Sequence, residues 1–129
     1  MREEQMKEIS QDLADELLNY WQKTLGLQDW HIEIRPNTIP CDMQLSDVAG
    51  ESVWTESNKE ALIRILREDC YGDCIAPFKF EKTLIHELLH LKFCLLGESG
   101  NDLQDRYVHQ LIDDLARAFY TARGGEKTH

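Results

Sequence analysis

Apolar side chains recur every three or four positions from about residue 3 to 25, as Met6, Ile9, Leu13, Leu17, Tyr20 or Trp21, and Leu25. Acidic and amide residues fill the gaps, so the spacing predicts an amphipathic helix with Gly26 as its stop. The pattern then changes period. In "DWHIEIRP", Trp30, Ile32 and Ile34 alternate with His31, Glu33 and Arg35, which predicts a half-buried strand closed by Pro36, with His31 on its outer face. Residues 36 to 50 carry two prolines and a terminal glycine and read as irregular. "ESVWTES" and "KEALIRIL" are two strand-like runs across a polar turn at Ser57 and Asn58, a hairpin. "REDCYGDCIAPF" reads as a loop in which Pro77 opens the next helix, since its missing N–H would have no partner in a first turn. That helix runs from about 78 to 96 and ends near Gly97, and a last helix covers about 101 to 122. Its buried face is expected to hold Tyr107, Val108, Leu111, Leu115, Ala118 and Phe119. The order predicts an α+β domain over residues 1–123, a small and mostly antiparallel three-stranded sheet packed on helices, and a flexible tail at 124–129.

One helix stands out. In "TLIHELLHLKFCLL", at about 100° per residue, leucines and isoleucines cover most of the circumference, so the helix is interior. Thr83, His86, Glu87, His90 and Cys94 fall together on a narrow polar stripe. Buried polar groups are costly unless something satisfies them. His86 and His90 lie one turn apart, so both imidazoles leave a rigid backbone in the same direction and can share one Zn²⁺. Glu87 faces the same side and can take a proton from water beside the ion. This is the HExxH pattern, whose mechanics suit metal-assisted hydrolysis of a peptide bond. The bland alternative is a core helix whose histidines are satisfied by carboxylates or backbone.

HExxH supplies two ligands, and a catalytic zinc usually takes three from the protein. The third is expected downstream, from His109, with Asp113, Glu98 and Asp102 as the other candidates. His109 sits about 60° from Ile112, at the edge of the last helix's apolar face. Asp105 and Asp113, one turn to either side, are placed to orient its second ring nitrogen.

Composition narrows the field. The 129 residues carry a net charge of −10, which opposes binding to phosphate backbones or anionic lipid, so neither nucleic acid nor a membrane is an expected partner. The opening "MREEQMKEIS" holds no apolar stretch of the secretory kind, and no run is long enough to span a bilayer, so a cytoplasmic location is expected. Cys41, Cys70, Cys74 and Cys94 are expected as thiols; the CxxxC spacing of Cys70 and Cys74 is a weak zinc signal.

At "TLIHELLHLKF" the chain resembles the zincin metallopeptidases. It is most similar to the very small single-domain ones, the minigluzincins and the phage- or prophage-encoded peptidases of like length. The resemblance implies a zincin-like fold of N-terminal helix, three-stranded sheet, active-site helix and C-terminal helix. It implies His86 and His90 as zinc ligands and Glu87 as general base of a hydrolase. In gluzincin-type relatives a glutamate of the later helix is the third ligand; in "HQLIDDLARAF" His109 occupies that neighbourhood, which departs from the gluzincin pattern. The resemblance further implies a peptide or protein substrate paired with an edge strand, either "ESVWTES" or "KEALIRIL", and an electrophile such as Tyr107, Tyr71 or His31. Rival expectations are a regulatory zincin specialised for one protein partner, as in phage systems, and a non-catalytic zinc scaffold closed by Cys94 or Cys74.

Overall fold

Helix α1 (Gln11–Thr24) begins where Ser10, in extended conformation, accepts a hydrogen bond from Leu13 N–H. Residues 8–10 precede it and are not helical, so the helix starts later than the apolar spacing suggests. The computed structural model describes residues 8–45, 48–70, 79–94 and 101–124. Gly26, at φ +74°, closes α1: Gly26 N–H bonds Lys23 O and Leu27 N–H bonds Gln22 O. The buried face is Ala14, Leu18 and Trp21, continued by Leu25, whereas Leu13 and Tyr20 are exposed. Trp21 and Leu25 are buried as expected and Ile9 and Leu17 pack partly against the core, but Ala14 and Leu18 take the fully buried positions in place of Leu13 and Leu17.

Strand β1 (His31–Thr38) does not stop at Pro36; it continues through a register shift between Arg35 and Thr38, with Asn37 at φ +60°. After a 3₁₀ turn at Pro40–Asp42 come β2 (Gly50–Thr55) and β3 (Glu60–Leu66), a hairpin as expected. The sheet order is β1-β3-β2, with β3 antiparallel to β2 and parallel to β1. The sheet is thus mixed rather than mostly antiparallel. The hairpin lays β3, not β2, against β1, and the long connection that a parallel pair requires contains β2 itself.

Helix α2 (Phe80–Lys92) is shorter than expected, with Lys79 as N-cap and Phe93 as C-cap. The proposed start at Pro77 and stop at Gly97 lie outside the described residues. Helix α3 (Asp102–Ala122) matches the expected span and is capped by Asn101, whose side chain accepts from Gln104 N–H. Its buried residues are Ile112, Ala116 and Tyr120. Tyr107 is 66% exposed, being about 140° round the helix from Ile112, and Ala118 also faces outward.

The core lies between the sheet and the helices. Leu84, Ile85, Leu88, Leu89 and Leu91 of α2 are buried, against Ile63 and Ile65 of β3 and the buried faces of α1 and α3. Trp21 Nε1–H donates to Glu81 Oε2 at 2.6 Å, and Arg123 Nε–H reaches the same oxygen at 2.9 Å, joining all three helices. No helix among the described residues is long and apolar enough to cross a membrane.

Gly50 sets how closely β2 approaches α2. A Cβ there would lie 2.8 Å from Thr83 Cγ2 and 3.4 Å from Glu87 Cγ. Gly50→Ala is expected to cost about 1–3 kcal/mol through overpacking, read as a lowered urea midpoint. Thr83→Ser, which removes that methyl, is expected to recover most of the loss in the double variant; additive losses would disprove the contact.

Candidate functional site

The interior position of α2 brings its polar stripe to the floor of a cleft. Leu84, Ile85, Leu88 and Leu91 occupy the core, which turns His86, Glu87 and His90 towards β2 and α3. His86 Nε2 and His90 Nε2 stand 3.1 Å apart. Their rings are stacked, with centroids 4.9 Å apart and planes 23° from parallel. The cleft measures about 480 Å³, and its walls include Leu45, Ala49, Ser52 and Trp54 together with His109.

Electrostatics keeps these imidazoles neutral. Burial lowers the His90 pKa to about 4, helped by His86 and His109 and opposed by Asp113. Burial also lowers His86, against a rise from Asp113 and with further lowering by His109 and Lys82. Asp113 Oδ1 is 3.3 Å from His86 Nδ1. A carboxylate there favours the tautomer protonated at Nδ1, which leaves a lone pair on Nε2, the nitrogen that faces His90.

Glu87 is only 7% exposed. Burial raises its carboxyl to about 7, against the lowering effect of the Ser52 hydroxyl and with a further rise from the charge of Glu51. Ser52 Oγ–H donates to Glu87 Oε1 at 3.0 Å. Glu51 is buried beside them and anchors the cleft wall: Gln44 N–H and Leu45 N–H donate to its carboxylate, as does Arg64 Nη1 at 2.7 Å. Arg64 stands directly opposite Glu51 in the β2–β3 ladder.

His109 and Asp113, four residues apart on α3, both reach the α2 pair, but in different ways. The His109 ring is 5.5 Å from that of His90, centroid to centroid. Asp113 meets His86, not His109 as its helical spacing suggested. Asp102 is exposed and does not line the cleft; neither do Tyr107 and His31. Cys94 follows the end of α2 and lines a separate pocket with Asp29, Glu56 and Lys59, away from the histidines. Burial raises its thiol, and Glu56 adds to the rise. Glu98, Tyr71 and Cys74 lie outside the described residues, as does the proposed Cys70–Cys74 pair as a unit.

Sequence reasoning missed Ser52, Glu51 and Trp54. A signal for the first was present: Gly50, Ser52 and Trp54 alternate onto the face that β3 fills with Ile65, Ile63 and Ala61. A hydroxyl on such a face needs a buried partner.

Two imidazole nitrogens on one tetrahedral zinc, at about 2.0–2.1 Å each, stand about 3.3 Å apart, so the observed pair suits a shared ion. It equally suits a direct hydrogen bond from one neutral imidazole to the other. Among the described residues no group of three His, Cys, Asp or Glu side chains closes on one point. The donor set thus fits zinc at two positions, with His109 adjacent. The chain matches no protein-family model, no curated protein and no solved structure with which it was compared.

Glu51 should dominate the stability of the cleft wall. Burial alone would raise its carboxyl, but the N–H groups of Gln44 and Leu45 and the Arg64 guanidinium outweigh burial and hold it below the ordinary 4.5. A depressed folded pKa gives stability that is present above the unfolded value and lost as pH falls through the folded one. Glu51→Ala is therefore expected to cost about 2–4 kcal/mol at pH 7, by stranding Arg64 and two N–H groups. Urea melts of both proteins should show that gap narrowing as pH drops below about 4; a gap independent of pH would contradict the assignment.

Proposed function

We propose that this chain is a zincin-like, zinc-dependent metallopeptidase that hydrolyses a peptide held along β2. The observation that carries the reading is the convergence of His86 and His90 Nε2, 3.1 Å apart, at the floor of an open cleft beside the buried carboxyl of Glu87. His86 and His90 would hold the ion, with His109 as the third ligand. When bound, zinc supplies a Lewis acid and shifts the ionisation of water beside it towards neutral pH. Glu87 takes the proton of the attacking water and returns it to the leaving amine. Asp113 holds His86 in the tautomer that presents Nε2.

The sheet edges support β2 as the strand that meets substrate. β3 is hydrogen-bonded on both sides and cannot accept another strand. The outer side of β1 is blunted. Gln11 Nε2–H occupies Ile34 O, Pro36 brings no N–H, and the Asn37 amide exchanges hydrogen bonds with Ile9. β2, the other terminal strand, carries Ser52 and Trp54 into the cleft. An extended peptide added there would lie beside the imidazoles. The net charge of −10 favours a protein substrate over nucleic acid.

A second reading follows from the lack of a closed three-donor group among the described residues. In it the two histidines are a hydrogen-bonded pair in a non-catalytic scaffold. Metal analysis separates the two readings. The peptidase is expected to carry stoichiometric zinc, to lose it in His86→Ala and His90→Ala, and to cleave casein or mixed peptides until chelated. Glu87→Gln should keep its zinc and lose activity by about 10²–10⁴-fold. Zinc retained in His109→Ala would move the third ligand elsewhere, and a wild-type protein that takes up no zinc would establish the scaffold.

A further inference from the structure

We infer that Ser52 is a positioning residue that fixes the orientation of the Glu87 carboxylate, an inference that rests on the peptidase reading in which Glu87 is the base. A glutamate's last torsion is broad, so a rigid helix places the carboxylate without fixing its plane. Here a hydroxyl from another element supplies what the helix cannot: Ser52 Oγ–H donates to Oε1 at 3.0 Å, across 35 positions of sequence. Ser52 is the hydrogen-bond partner of Glu87 among the described residues, and none of their buried side-chain nitrogens or oxygens is left without a partner. Oε1 is therefore engaged, and the Glu87 side chain lines the cleft.

The surroundings explain why a serine does this. Ser52 projects from the core face of the sheet, opposite Ile63 and in line with Ile34. A hydroxyl among such neighbours is destabilising unless it is bonded. Gly50, two residues earlier on the same face, brings the strand close enough for the bond to form, since a side chain there would meet Thr83 and Glu87. The strand proposed to pair with substrate thus also grips the base, and peptide pairing along β2 and the aim of Glu87 are mechanically joined.

Three substitutions in the full chain test this. Ser52→Ala and the nearly isosteric Ser52→Cys are expected to lower kcat by about 10- to 100-fold, the worth of a hydrogen bond to a charged group. KM and zinc content should stay near wild type, and Ser52→Thr should recover most of the rate. A space-filling role would leave Ser52→Cys at the wild-type kcat, and that result would overturn the inference. Crystal structures of metal-free wild type and Ser52→Ala give a second readout. The Glu87 carboxylate is expected in one orientation in the first and in several in the second; a single unchanged orientation in both would also overturn it. If the wild type hydrolyses nothing, the peptidase reading fails, and the crystallographic comparison alone still decides whether Ser52 orients Glu87.

Discussion

A helix surrounded on nearly every side by apolar neighbours leaves its polar groups only two options: bonding to one another, or gathering on a shared opening. Helix α2 is in that position, with Leu84, Ile85, Leu88 and Leu91 packed out of contact with water. The other elements are arranged around this demand. β2 approaches through Gly50 and meets Glu87 with a hydroxyl. α3 crosses with His109 set against His90 and Asp113 against His86. The cleft is what remains between them, and its chemistry is set by the cost of burying two imidazoles and a carboxyl together.

That cost also explains the protonation pattern. Burial disfavours charge on every member of the cluster, so His90 titrates near 4 and Glu87 near 7. A carboxyl balanced between its two protonation states near neutral pH and imidazoles held neutral both follow from that one penalty. Asp113 is the exception that remains in contact with water, and from there it can polarise His86 without adding a second buried charge.

The elements were legible in the sequence where a single local rule decides them. Gly26 takes the left-handed turn that stops α1, and the hairpin follows from two alternating runs across a polar turn; the Ser10 cap, by contrast, was passed over by an apolar spacing that runs on through it. The stripe of His86, Glu87 and His90 was legible for the same reason, since one helical turn relates the two rings. What the sequence hid depends on contacts between elements. Parallel pairing of β1 with β3 is a choice of neighbour that periodicity does not encode. Asp113 finds His86 across 27 positions rather than His109 across four, because the crossing of α2 and α3 outweighs spacing within α3. Cys94 left the stripe because the helix ends at Lys92, and a projection of 100° per residue has no meaning past that point.

The unequal edges of the sheet bear on how copies of this chain can associate. Gln11, Pro36 and Asn37 deny β1 to a further strand. Two molecules that met strand to strand through β2 would merge their three-stranded sheets into one of six, terminated at both ends by β1. Among the described residues, such growth stops at a pair, because β1 would end the merged sheet on both sides.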